Sequence, residues 1–220
     1  MEATTGLAWT TAVLAAVLVL PLWRFSMHAI TVAHEGAHAL IGLLLGGKLG
    51  PKKIHLNADG SGATHLSIAG IGKFLMLLAG YLGPSAVGFA GALMLVHGFP
   101  PGSVLIMSLV FAVFVLVLTR NAFGLLVAAG TAGLLWMVAT RAAEPVQLGV
   151  AYVWVWTMLM GGTRKIPDLF KGMAAGHAND AGMLQQHTHI GDVVWLFVFW
   201  LGSISALVYG GALLLRHPLG

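Results

Sequence analysis

Seven apolar runs set the first limit on what this chain of 220 residues can fold into. They extend from Leu7 to Trp23, Met27 to Leu45, Ile68 to Val96, Val104 to Leu118, Ala122 to Ala139, Leu148 to Met160 and Val193 to Leu215. Several reach the roughly 20 residues that a helix needs to cross a bilayer. Backbone amides in hydrocarbon must be satisfied inside the segment or around a closed barrel, and continuous runs rich in Leu, Ala and Gly select helices over alternating barrel strands. The sequence therefore predicts an all-α polytopic membrane protein of six or seven transmembrane helices. The shortest run, Leu148 to Met160, is expected to be tilted, re-entrant or interfacial. With 58% hydrophobic and 8% charged residues, the composition is not that of a soluble globular domain. No stretch between the runs is long enough for a second domain, so residues 1–220 read as one integral-membrane unit.

The few charges carry topology. Glu2 is the only charged side chain before the first run, so there is no basic leader and the first helix is expected to stay. The net charge of +4 could suggest nucleic acid, but the bases are few and sit between apolar runs. Along seven spans Lys48, Lys52, Lys53, Lys73, Arg120, Arg164, Lys165 and Lys171 fall on one side, against Arg24, Arg141 and Arg216 on the other. That bias predicts a cytoplasmic N-terminus, with the Lys48 to Ser67 and Gly161 to Gly191 loops also cytoplasmic, and no nucleic-acid partner. With no cysteine in the chain, any metal must be held by His, Asp or Glu.

One segment departs from the apolar background. Thr31-Val32-Ala33-His34-Glu35-Gly36-Ala37-His38-Ala39-Leu40 contains an H-E-x-x-H motif inside a run of helical length, expected over about 27–46. The i and i+4 spacing puts His34 and His38 on one helix face, where two imidazoles can grip one zinc ion and Glu35 can reach a water beside it. Chance supplies such a motif on the order of 0.01 times in a chain of this length and composition. An ionisable side chain deep in a membrane costs several kcal/mol and persists for function or with a partner.

Two histidines do not complete a catalytic zinc site, which has three protein ligands and an open fourth position. The candidates for the third are Asp59, Glu144, Asp168, Asp180 and Asp192, with His28, His55, His65, His97, His177, His187, His189 and His217 as nitrogen alternatives. Asp180 is preferred: it precedes the last apolar run, on the same expected side as the loop after the motif helix. Asn179 before it can cap a short helix. The competing reading makes Asp180 itself an ordinary cap or a solvated charge.

These features together resemble the site-2 protease family of intramembrane zinc metalloproteases, in a compact bacterial branch without a PDZ domain. His34, Glu35 and His38 match that family's zinc motif, a hairpin-like segment follows, Gly80 to Pro84 falls in the next long helix, and Asp180 precedes a late one. The resemblance implies zinc held by His34, His38 and Asp180 (the third-ligand loop spanning about 162–191), with Glu35 activating water for peptide hydrolysis. It implies a bacterial cytoplasmic membrane and single-span substrates, often anti-sigma factors or other tethered regulators. The family's aspartate motif reads Leu-Asp-Gly where this chain has Asn179-Asp180-Ala181. The Asn often carried on the family's next helix is replaced by Ser85-Ala86-Val87, so no residue is assigned to stabilise the oxyanion. Two other functions would use the same ligands, a membrane zinc transporter and an inactive metal-binding scaffold.

Supporting segments are read more blandly. Partial alternation over about 52–67, around Asp59-Gly60-Ser61-Gly62, predicts a β-hairpin, either a plain connector or an edge that holds an extended substrate by β-augmentation. Gly80-Tyr81-Leu82-Gly83-Pro84 predicts close helix packing with a proline kink. Arg120-Asn121 reads as an interfacial anchor, Trp23, Trp195 and Trp200 as belt or packing residues, and His177, His187 and His189 as a solvated cluster around Asp180.

Overall fold

The computed structural model describes residues 2–174 and 179–216. In chain order these form α1 (Glu2–Val19), α2 (Trp23–Leu44), β1 (Lys48–Leu56), β2 (Gly62–Ser67), α3 (Gly70–Val96), α4 (Pro101–Leu118), α5 (Ala122–Arg141), α6 (Glu144–Ala174), α7 (Asp180–Thr188) and α8 (Asp192–Arg216). The protein is mostly helical, with one two-stranded antiparallel sheet. Four of the described helices, α3, α4, α5 and α8, are long and apolar enough to cross a membrane. A fifth span arises if α1 and α2 are counted together, although the chain bends by 97° between them. Leu20-Pro21-Leu22 makes that break, since Pro21 has no amide proton to continue a helical ladder.

The six or seven spans expected from sequence are therefore not reached on length and apolarity alone. The shortfall has a chemical cause, because α2 carries the H-E-x-x-H motif and the uncharged middle of α6 is interrupted by Gln147, Tyr152, Trp154, Trp156, Thr157 and Thr163. The run Leu148 to Met160 is not a short element. It is the middle of the 31-residue α6, whose polar ends hide its length from a hydropathy reading. At 1.5 Å per residue that helix is about 46 Å long. The segment 162–191 likewise holds the last turns of α6 and all of α7.

Helix α3 is central, packing against α2, α6 and α8. It runs unbroken through Pro84. Val110, Val117, Leu126, Val193, Phe197 and Val208 are exposed on the outer helix faces, as expected where the surrounding solvent is lipid. Asn179, with extended backbone, caps α7 by accepting a hydrogen bond from Gly182 N at 3.0 Å, as its sequence position suggests. Ala181 and Leu184 seat α7 in a core shared with Tyr81, Leu169, Trp195 and Phe199. Trp195 Nε1 donates to Thr188 Oγ1 and Asp192 N to Gln185 Oε1, so the short helix is tied to α8 at its far end.

The hairpin turn forms where the sequence places it. Ser61 donates its backbone N–H (2.9 Å) and its hydroxyl (2.7 Å) to Asp59 Oδ1, and Gly60 takes the positive φ of +82° that the reversal requires. Its register pairs Ile54 with Thr64, His55 with Ala63 and Leu56 with Gly62. Asn121 is more than an anchor at the interface: it accepts from Leu56 N at 3.1 Å and donates to Leu56 O at 2.7 Å. With Arg120 N donating to Ile54 O, the linker between α4 and α5 covers the outer edge of β1.

Candidate metal centre

The residues Ile30 to Ala39 of α2 are all buried, so the i, i+4 histidines point into protein rather than lipid. His34 Nε2 and His38 Nε2 lie 3.2 Å apart. Asp180 Oδ2, at the first position of α7, is 3.3 Å from the former and 3.1 Å from the latter. Among the described residues this is the one group of three or more His, Asp or Glu side chains able to share an ion.

The donor set fits zinc. Four ligands placed tetrahedrally at about 2.0 Å are separated by about 3.3 Å, close to the spacing found. The tautomer agrees, because His38 Nδ1 lies 2.8 Å from the carbonyl of Met76. A proton on Nδ1 donates to that oxygen and leaves the Nε2 lone pair facing the cluster. Two neutral imidazoles aimed at each other across 3.2 Å repel unless a cation or proton lies between them. His34 Nδ1 is buried without a hydrogen-bond partner among the described residues, and the His34 ring is held by edge contact with Tyr81, at a centroid distance of 4.6 Å.

The His38 ring rests on glycine. A Cβ on Gly80 of α3 would collide with His38 Nε2 and lie 2.8 Å from its Cδ2. Gly80 thus does more than pack helices, since its missing side chain is the floor on which the imidazole lies. Gly83, nearly one turn on, admits Ala37 in the same way, so the Gly80 to Pro84 segment seats the motif helix as well as one ligand.

Glu35 faces a cavity of about 490 Å³ that His34, His38 and Asp180 also line. Thr64 on β2 donates its hydroxyl to Glu35 Oε2 at 2.7 Å, and a Cβ on Gly62 would lie 2.6 Å from Oε1. The strand therefore fixes the carboxylate from above, leaving room only for a glycine at 62. Also on the cavity, Lys165 Nζ donates to Thr31 Oγ1 at 3.0 Å.

The other third-ligand candidates are engaged elsewhere. Asp59 is held in the hairpin turn, where the hydrogen bonds from Ser61 keep its carboxyl below the usual range. Asp168 lines the cavity but accepts from Trp23 Nε1 at 3.1 Å and from Arg164 at 3.2 Å. That gives Trp23 a place in the cavity wall instead of a membrane belt. Glu144 and Asp192 begin α6 and α8. His28 stacks edgewise on Phe123, His55 on His65, and His97 bonds the Leu93 carbonyl. His187 ends α7 and His189 follows it in a left-handed conformation. His177 and His217 lie outside the described residues.

Sequence reasoning passed over Thr64, Lys165 and Tyr81. Their contacts with the motif helix join residues 29 to 134 positions apart or meet across packed helices, and none leaves a local signature. Compared with known proteins, residues 7–210 match the model of a family described as Peptidase M50B-like. No curated protein and no solved structure matches the chain.

Proposed function

Because the chain belongs to the Peptidase M50B-like family, a site-2 protease family, we propose that it is a zinc-dependent endopeptidase cutting in or near transmembrane segments of other membrane proteins. The observation that carries this reading is the convergence of His34, His38 and Asp180, from elements 142 residues apart, beside a buried Glu35 on one cavity. The residues present suit zinc, which when bound there would supply Lewis-acid polarisation and an acidified water.

In this reading Glu35 takes a proton from the attacking water and returns one to the leaving amine. Thr64 keeps the carboxylate aimed into the cavity. A helical substrate hides its amides and must be extended before one can be attacked. The outer edge of β1 is already covered by Arg120 and Asn121, whereas Ser61 to Thr64, including the start of β2, line the cavity wall. An extended segment would therefore add to β2, alongside Glu35. Both α2 and α6 are taken to join the apolar helices as spans, giving six or seven in all. With seven spans, the lysine and arginine bias puts the N-terminus and the hairpin on the cytoplasmic face of a bacterial membrane. Substrates are taken to be single-span proteins, membrane-tethered regulators such as anti-sigma factors among them.

The test is zinc content together with cleavage of single-span reporters by purified wild type, Glu35→Gln, His38→Ala and Asp180→Asn. Zinc kept but cleavage lost in Glu35→Gln, with both lost in the ligand variants, is the expected outcome. Wild type that cleaves no reporter while carrying metal across vesicles would replace this reading with transport. Zinc unaffected by Asp180→Asn would remove that residue from the ligand set.

A further inference from the structure

Peptide hydrolysis passes through a tetrahedral oxyanion, whose charge calls for a hydrogen-bond donor aimed at it. We propose that Lys165 is that donor. The inference rests on the peptidase reading and goes beyond it by assigning a catalytic role to a residue outside the motif.

Four observations carry it. Among the described residues, Lys165 is the only lysine or arginine lining the cavity that His34, Glu35 and Asp180 share. Its Nζ donates to one neutral group, the Thr31 hydroxyl, at 3.0 Å. No carboxylate among the described residues lies within ion-pairing distance of it, while each carboxylate on the cavity is already held: Glu35 by Thr64, Asp168 by Arg164 and Trp23, Asp180 by the two imidazoles, and Asp59 by Ser61. Thr31 stands one helical turn before Glu35, so the ammonium rests on the general base's side of α2, about 6 Å along the axis.

A partly buried ammonium costs free energy unless it is paired, and a single neutral hydroxyl leaves two of its three donors without a described protein partner. A cation in this state is poised for a negative charge that is absent at rest and formed during reaction. In the step itself, the water oxygen bonds to the carbonyl carbon, the carbonyl π pair moves onto its oxygen, and the water proton goes to Glu35. On collapse the C–N bond breaks and the nitrogen takes a proton from Glu35. Lys165 keeps its protons throughout and donates a hydrogen bond to the oxyanion, a charge-assisted contact stronger than the one it leaves at Thr31.

The experiment compares wild type with Lys165→Met and Lys165→Arg on a reporter that wild type cleaves. It measures kcat, KM, zinc content, and the affinity of a phosphinic pseudopeptide of the same sequence, whose tetrahedral anion mimics the oxyanion. For Lys165→Met a fall in kcat of about 10²–10³-fold is expected, with phosphinate affinity falling in parallel and KM and zinc content within about threefold of wild type. Lys165→Arg, which keeps the charge, should recover most of both losses. If the Met variant is not recovered folded, Lys165→Gln carries the same test. The proposal is overturned if kcat stays within tenfold of wild type, if phosphinate affinity is unchanged, or if zinc is lost along with activity. Wild type that neither cleaves a reporter nor binds a phosphinate would overturn the peptidase reading itself, and the role of Lys165 with it.

Discussion

Adding one methyl group at Gly80 should separate the metal centre from the stability of the fold. In Gly80→Ala the new Cβ lies against the His38 ring, 2.8 Å from Cδ2 and closer to Nε2, where ordinary contact begins at 3.4 Å. The imidazole must therefore retreat by at least about 0.6 Å. It cannot do so freely, because Met76, one turn before Gly80 on the same helix, holds its Nδ1 at 2.8 Å. Metal ligation tolerates only about 0.2 Å of ligand displacement, and disturbing a partner that orients a ligand weakens binding about 10–100-fold. The overpacking itself is expected to cost about 1–3 kcal/mol. The control is Gly130→Ala on α5, where a Cβ meets nothing within 4 Å. There alanine should be neutral or stabilising by up to about 1 kcal/mol. Zinc affinity, read by competition with a chelator of known strength in detergent, should fall for Gly80→Ala alone. Wild-type affinity in that variant would refute the view that α3 fixes the position of His38.

Three further outcomes follow from the same geometry. Thr64→Val removes the donor to Glu35, a hydrogen bond to a charged group that contributes about 1.5–3 kcal/mol; kcat on a reporter should fall about 10–100-fold while zinc content is unchanged, and an unaffected rate would show that the carboxylate is held by other contacts. Asn121→Ala strips two hydrogen bonds from the backbone of Leu56, and thermal unfolding in detergent should come about 4–8 °C earlier at about 1 kcal/mol per bond; an unchanged midpoint would argue that water replaces the amide at no cost. Chelation should lower the midpoint of wild type by several degrees, since metal bound only to the native state stabilises it, whereas Asp180→Asn should unfold at the same temperature with and without chelator. An equal shift in both proteins would exclude Asp180 as a ligand.

What the sequence reveals of this molecule depends on how locally each feature is encoded. The motif helix, the Asp59-Gly60-Ser61-Gly62 turn and the Asn179 cap are each written within a few residues, and each is found in the structure at its expected place. The extent of α6 was hidden because Glu144, Arg164, Lys165, Asp168 and Lys171 lower the hydropathy of a helix whose centre is apolar. A count of topological charges treats Arg164-Lys165 as one basic pair. The fold separates them: Arg164 stacks over Trp23 and pairs with Asp168, while Lys165 turns to Thr31 on the motif helix. In sequence Gly80 is indistinguishable from a packing residue, because the benefit of an absent side chain is visible only once the imidazole lying on it is known.

The way β2 meets α2 shows why Glu35 and the hairpin form one unit. Gly60 O accepts from Thr31, Gly62 and Thr64 enclose Glu35, and Leu66 occupies the space left by Gly42. The hairpin partners are two residues apart, and within β2 the even positions are the less exposed ones, which is the period of one strand face. Thr31, Glu35 and Gly42 fall within about 40° of one another around the helix, so they form one helix face. The strand therefore runs lengthwise along the Glu35 face of α2 in the same direction. A slip of one residue in the hairpin would turn Thr64 outward and bring Ala63 or His65 against Glu35. The turn held by Asp59 and Ser61 thus sets, through register, the aim of a carboxylate about 25 residues away in sequence. Under the proposed function, a substrate strand added beside β2 would inherit that register, so the device that extends the substrate also determines which peptide bond Glu35 faces.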